Sequence, residues 1–501
     1  MNAAIKGGDA PGQGRRLCVI SLCVLASGLV LAGCSLAPRH EQPALPVASA
    51  YPGDSGSPSG ATSKHPLASE VAWRDYFADP YLQMLIAQAL ENNRDLRQAV
   101  LRVAEARAAY GIQRADRFPT LTASAAGSRG RTPADLSMSG QAQVGSQYQT
   151  NLGLAAWELD FWGRVRGLKE AALESYLSTD EARRAATVGL IAQVADTYLA
   201  LRELDERSAL ARQTIASREE SFRIFSRRYE VGAIARMDLV QVETLLHQAQ
   251  TLAAQLEQTR AAQAHGLAVL VGAPLSPLPE QAGFDDGIVM PELRVGLPSD
   301  LLLQRPDIMA AEHRLRAATA NIGAARAAFF PRIALTGSLG TASAELDGLF
   351  GAGSRAWAFL PSLSLPIFDG GRNRAGLDLA EVRRDLAVAN YEKTVQTAFR
   401  EVADALSARR WLAEQVKTAQ ATLVAQAERE RLARLRYDNG SAPYFEVLDA
   451  QRDLLAAEQQ AVQARRALLS SRVSLYAALG GGSQEFIAFP VSAAQPVNGK
   501  W

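Results

Sequence analysis

Apolar and polar positions along this 501-residue chain follow two different periods, and each period occurs twice. The three-and-four spacing of a helix runs from Leu82 to Arg117 and again from Pro306 to Phe329, and each run stops at a Phe-Pro step. Short alternating runs come next. Tyr148, Thr150, Leu152, Leu154 and Ala156 share one parity, with Gln147, Gln149, Asn151 and Gly153 on the other. Likewise Ile333, Leu335 and Leu339 alternate with Ala334, Thr336 and Ser338, while Trp357, Phe359, Leu363, Leu365 and Ile367 oppose Ser362 and Ser364. Alternation over roughly ten residues, with aromatics near the ends, predicts strands that meet lipid on one face and a wet lumen on the other. A half-buried sheet in a soluble protein has the same period.

Very long helical patterns follow, Arg164 to about Tyr229 and Arg372 to about Tyr437. Each is succeeded by a return run of about half its length, after a turn at Gly232 or Gly440. Val388, Tyr391, Val395, Phe399, Val402 and Leu406 step by three and four, as in a coiled-coil seam. At 1.5 Å per residue the longer runs would reach roughly 100 Å. A compact domain cannot bury such a rod, so it must pack against other rods.

The two sets of patterns are copies. Gly111, Arg114, Ala115, Phe118 and Pro119 recur as Gly323, Arg326, Ala327, Phe330 and Pro331, in one G-x-x-R-A-x-x-F-P frame at a shift of 212. Val194-Ala195-Asp196 recurs as Val402-Ala403-Asp404, and Arg228-Tyr229 with Gly232 as Arg436-Tyr437 with Gly440, at a shift of 208. Internal repetition of this kind defines the organisation of the chain. A first repeat covers residues 70–272 and a second 298–481. Linkers fall at 34–69 and 273–297, both rich in Pro, Gly or Ser, and a tail at 482–501.

Residues 1–33 read as a secretion signal, because Arg15 and Arg16 precede an apolar run from Leu17 to Leu31 that is too short to span a bilayer stably. Leu31-Ala32-Gly33-Cys34 resembles the box cleaved by lipoprotein signal peptidase. That resemblance implies that the Cys34 thiol is thioether-linked to a diacylglycerol, that fatty acid such as palmitate is added, and that Cys34 becomes the anchoring first residue. Ser35, which is not aspartate, implies transport to the outer membrane. Cys18 and Cys23 lie in the discarded segment, so the mature chain forms no intramolecular disulfide. The five histidines stand apart from one another, and no metal or other cofactor is expected beyond the covalent lipid. A net charge of +1, from acids and bases spread along the chain, offers nothing to nucleic acid.

One chain supplies about four membrane-type strands, yet open sheet edges are not tolerated in hydrocarbon and the smallest usual barrels have about eight strands. Several chains must therefore close one pore. Here the residues resemble a known family, the TolC-type outer-membrane efflux proteins, in the NodT-like lipoprotein branch that partners resistance-nodulation-division pumps. The resemblance is carried by Trp73, Phe77-Ala78-Asp79-Pro80, Asn93 with Asp95-Leu96, and the paired Phe-Pro strand starts. It is carried further by the run from Pro361 to Arg372 and by Arg436-Tyr437-Asp438-Asn439-Gly440 through Glu446 to Gln451. It implies a mixed α and β membrane protein: a homotrimer with a twelve-strand β-barrel and a twelve-helix tunnel in the periplasm, working with a periplasmic adaptor and an inner-membrane pump. It also implies a passive duct for drugs or other small molecules, with no catalytic role.

The resemblance places a gate at the periplasmic tip. By motif position Asp238 matches a carboxylate that bonds a tip tyrosine, Tyr437 matches that tyrosine, and Glu446 and Asp449 match an acidic constriction. Glu446 stands where some members have aspartate, and Ala442 where some have an arginine. The duplication leaves a second assignment open, since Tyr229 and Glu446 mirror Tyr437 and Asp238. Two other classes of function compete. A structural coiled-coil envelope lipoprotein would share the anchor and rods but has no use for alternating strands, and an enzyme would need a pocket that no G-x-S-x-G, phosphate loop or histidine pair announces.

Overall fold

The computed structural model describes residues 36–51, 67–277, 286–290, 293 and 300–485, so the signal segment, Cys34 and most of the tail lie outside the described residues. These residues fall into two units, one of 36–43, 105–177 and 313–389, the other of 44–104, 178–312 and 390–485.

The helices repeat with the sequence. In the first copy they are α1 (Trp73–Tyr76), α2 (Pro80–Asn92), α3 (Arg94–Ala115), α4 (Arg164–Glu230) and α5 (Arg236–Val271); in the second, α6 (Leu301–Gln304), α7 (Pro306–Ala327), α8 (Arg372–Asp438) and α9 (Tyr444–Ala478). Helices α3 and α7 both have 22 residues, and α4 and α8 both have 67. The expected single helix from Leu82 to Arg117 is interrupted at Asn93, whose backbone is extended. Its side chain explains the break: Oδ1 accepts the Leu96 N–H at 2.8 Å, capping α3, and Nδ2 donates to the Leu270 carbonyl at 2.8 Å. No described helix is long and apolar enough to cross a membrane.

In the first unit four strands, β1 (Leu121–Thr132), β2 (Gln143–Glu158), β3 (Arg332–Ser343) and β4 (Arg355–Ser364), form one antiparallel sheet in sequence order. The register aligns Leu121 with Leu154, Ala123 with Leu152, Leu152 with Leu339, and Leu339 with Trp357. One face is therefore apolar across all four strands, and Trp357 on it is 76% exposed. The opposite face carries Ser124, whose hydroxyl donates to Asn151 at 2.9 Å. The parity expected of Ala156 fails, because the register shifts between Leu154 and Trp157. This bulge gives Ala156 a φ of 44°, hands its N–H to the Thr336 hydroxyl at 3.2 Å, and returns Trp157 to the apolar face opposite Leu335.

The second unit is organised around a buried aromatic cluster. Tyr76 stacks on Tyr476 with centroids 4.1 Å apart, and Phe77 meets both rings edge-on. Each phenol donates to a carbonyl, Tyr76 to Arg472 and Tyr476 to Val71, both at 2.8 Å. Burial therefore leaves neither hydroxyl unpaired. In α8 the buried seam is Tyr391, Val395, Ala398, Val402 and Ala405, one heptad stripe. The Phe77-Ala78-Asp79-Pro80 stretch has a physical purpose here. Asp79 caps α2 by accepting the Tyr81 and Leu82 N–H groups at 2.7 and 3.1 Å, and Pro80 takes the first helical position, where no donor is needed. The other Asp79 oxygen accepts the phenol of buried Tyr198 at 2.7 Å. Burial, and then this carboxylate, push the Tyr198 pKa above its ordinary value.

Replacing Asp79 by alanine removes the cap and strands the Tyr198 hydroxyl, which together should cost about 2 kcal/mol. Thermal unfolding followed by circular dichroism should show a lowered midpoint for Asp79→Ala and a smaller loss for Asp79→Asn, which keeps an acceptor. Equal midpoints for Asp79→Ala and the parent would remove this link from the account of the fold.

Candidate functional site

The two long helices end in the same turn. Gly232 has φ +71° and Gly440 φ +69°, the left-handed region that a Cβ disfavours. The Gly232 N–H donates to the Tyr229 carbonyl and Ala233 N–H to Arg228; Gly440 N–H donates to Tyr437 and Ser441 N–H to Arg436. This is the Schellman closure of a helix end. The return helices start at Arg236 and Tyr444 with no side-chain cap, and each carries an acid in its first turn, Asp238 or Glu446, where the helix dipole favours negative charge.

From those turns the arginines of the two copies reach differently. Arg228 crosses from α4 to α8 and donates to the Tyr437 hydroxyl at 2.6 Å. Its counterpart Arg436 stays on its own hairpin and binds Glu446 at 2.6 Å. A few residues back, Ser221 of α4 and Tyr444 of α9 share a hydrogen bond of 2.7 Å, and the Tyr444 ring packs on Phe225 at 4.6 Å and on Tyr437 at 4.9 Å. Phe225, Val242 and Leu448 form a small buried cluster beneath these bonds. Near the turns the hairpin α4–α5 is thus held to α8–α9 by one cation-to-phenol bond, one hydroxyl pair and a patch of apolar contact; farther along, Arg207 of α4 also bonds Gln459 of α9 at 2.6 Å, and Arg466 of α9 pairs with Asp196 of α4 at 3.2 Å.

Of the four residues expected at a gate, Tyr437 meets Arg228 and not Asp238. The Asp238 side chain is exposed and forms no hydrogen bond or ion pair among the described residues. Glu446 and Asp449 are not bare acids. Asp449 receives Arg429 at 2.8 Å and Arg452 at 2.6 Å, while Arg429 also holds Asp453 at 2.5 Å. Arg452, and then Arg429, keep the Asp453 carboxyl below its ordinary range. On the other hairpin Arg218 is buried and donates to the Leu245 carbonyl, and its Nε has no partner among the described residues. Sequence reasoning missed Arg228, Arg436, Arg429, Arg452 and Tyr444. The first two had a signal, since each precedes a tyrosine in the repeated Arg-Tyr marker.

One open apolar-faced sheet, with two strands from each repeat, and two helical hairpins, one from each repeat, define a channel-forming membrane protein of the barrel-and-tunnel class. The outer membrane efflux protein family matches residues 85–273 and 297–481, and the chain belongs to that family, which forms channels rather than catalytic sites. It is similar to the outer membrane protein OprJ of Pseudomonas aeruginosa, 45% identical over 463 residues, covering 92% of this chain and 95% of that one. It is also similar to the toluene efflux pump outer membrane protein TtgC of Pseudomonas putida, 43% identical over 468 residues, covering 93% and 96%. Among solved structures, the open state of the Neisseria gonorrhoeae MtrE outer membrane channel superposes with a TM-score of 0.81 at 41% identity, covering 90% of this chain and 98% of that one. The protein is an outer-membrane component of an efflux system.

The Arg429 clamp has a definite acid limit. A carboxyl whose folded pKa is depressed stabilises the fold above its unfolded value, about 3.9 for aspartate, and loses that contribution as pH falls through the folded value. Hydrogen exchange along 429–453, corrected for the intrinsic pH dependence of exchange, should therefore stay constant from pH 7 to 5 and accelerate only below the ordinary aspartate range. Loosening already at pH 5 would show that Asp453 does not hold the hairpin.

Proposed function

We propose that this chain is the outer-membrane duct of a tripartite efflux system, a homotrimer anchored by an acylated Cys34 and fed by a periplasmic adaptor and an inner-membrane pump. The observation that carries the reading is the four-stranded sheet, apolar on one face and open at both edges. Three copies would supply twelve strands, enough for a closed barrel whose interior is polar. OprJ and TtgC, which align over nearly their whole lengths, are outer-membrane proteins, and TtgC belongs by name to a toluene efflux pump. A duct of this kind takes its cargo from the pump it serves.

The gate reading rests on the contacts between hairpins. For the tip to widen, α8–α9 must leave α4–α5, which breaks the Arg228–Tyr437 and Ser221–Tyr444 bonds. Asp238, exposed on its own chain, is available to a neighbouring subunit in the closed tip. Because Glu446 and Asp449 are neutralised by arginines of the same chain, removing the arginine matters as much to ion selectivity as removing the acid.

Native mass spectrometry of the detergent-purified protein should give a trimer, and a folded monomer with protected strands would sink the architecture. Radioactive palmitate should label the parent and not Cys34→Ser. In planar bilayers Arg228→Ala, and Asp238→Ala combined with Tyr437→Phe, should each raise the open population, while Arg436→Gln should make the pore more cation-selective by baring Glu446. Parental conductance in both gate variants would refute the latch.

A further inference from the structure

The G-x-x-R frame occurs twice, but the two copies have different surroundings. Gly111 and Arg114 of α3 are exposed, and a Cβ built on Gly111 would meet nothing within 4 Å. Gly323 of α7 is buried, and a Cβ there would lie 2.8 Å from both the Cβ and the backbone nitrogen of Ala37. Arg326, one turn further on, donates to the Leu36 carbonyl at 3.4 Å and pairs with Glu381 of α8 at 3.6 Å. In the second copy, then, the missing side chain admits the chain that follows the signal segment, and the arginine grips it. A glycine exposed mid-helix costs stability with no return, whereas one that admits another backbone has a use.

We propose that Gly323 and Arg326 form a seat for the acylated N-terminus, so that the lipid enters the bilayer beside the membrane strands of its own subunit. The proposal rests on the reading of Cys34 as the lipid anchor. Ala37 is three residues from Cys34, so the backbone at Cys34 cannot lie more than roughly 11 Å of chain from the seat. Helix α7 ends at Ala327, and β3 begins at Arg332. The seat is therefore about one turn of helix and one short connection from the sheet. Leu36 and Ala37 convert a tether that could swing into one held at a fixed point, so that acyl chains and strands enter the membrane together.

The exposed Arg39–His40 bond just beyond the seat reports whether the segment is docked. The full-length purified protein is treated briefly with trypsin, and a new N-terminus at His40 is measured by mass spectrometry, with palmitate label followed in parallel. Gly323→Val, which fills the slot, and Ala37→Phe, which leaves α7 untouched, should both raise cleavage there about tenfold by populating the undocked segment. Gly111→Val should cleave like the parent, and all four proteins should carry label. A mature chain with Cys34→Ser, exported behind a non-lipoprotein signal, should remain protected, because the seat is made of protein contacts. Parental cleavage in Gly323→Val and Ala37→Phe would overturn the seat, as would loss of protection in Cys34→Ser, which would mean that the lipid holds the segment. Absence of label from the parent would instead overturn the anchor, and with it the placement of lipid, whatever the trypsin result.

Discussion

Inside hydrocarbon there is no water to bond a bare N–H or C=O, so a strand can be stable there only if both its edges are paired. Within this chain β2 and β3 satisfy that condition, and β1 and β4 satisfy it on one side only. The sheet is long enough to cross a bilayer, since twelve residues at about 3.3 Å each reach about 40 Å, but it is incomplete by itself. Closure by further copies removes the edges, and a closed ring of strands in turn requires the helices that continue each strand to form a ring as well. The apolar stripe across Leu121, Leu154, Leu339 and Trp357 is what commits the sheet to lipid, and the two free edges are what commit it to company.

Duplication supplies the parts, and divergence between the copies supplies the specificity. Helices α4 and α8 match residue for residue in length, and both end in the same glycine turn. Their side chains do not behave alike. Arg228 bridges to the other hairpin while Arg436 bonds its own; Tyr437 is bonded while Tyr229 is exposed. Gly323 receives a backbone segment while Gly111 faces open space. A repeat with two identical halves would give a symmetric assembly with no preferred point of weakness. These differences fall at the hairpin ends and where α7 meets the segment at Ala37.

Periodicity made the long elements legible, because a 67-residue helix repeats its signal many times and its ends are marked by Gly232 and Gly440. Strand parity was legible for the same reason, up to the bulge at Ala156, which a period-two pattern cannot anticipate. The break at Asn93 was hidden because apolar spacing continues across it, and the interruption comes from a single amide capping the next helix. The tip was legible as a location but not as a set of bonds. Arg228 and Tyr437 are 209 positions apart, and a helical arginine reads from sequence as a solvated face until the fold brings a phenol to it. The family pattern placed Asp238 beside Tyr437 by motif position, whereas within the chain the hydroxyl accepts from Arg228.

That substitution of partner changes what the tip can do. A hydrogen bond of this kind contributes about 1 kcal/mol net, so the two cross-hairpin bonds at one chain's tip would by themselves fall short of a firm closure. In a trimer the bonds from Arg228 and Tyr444 would together contribute about 6 kcal/mol, close to the roughly 5.5 kcal/mol that separates a population of 1:99 from 99:1. A latch of that size would hold when the duct is alone and would yield to a partner that bound the open arrangement with ordinary affinity. The buried patch of Phe225, Val242 and Leu448 fixes where the hairpins meet. The polar bonds decide how readily they part, because loss of a directional bond on a small displacement is abrupt while apolar contact fades with area. An ion pair such as Arg436–Glu446, confined to one hairpin, would survive such a parting and keep its carboxylate neutralised whether the hairpins meet or not.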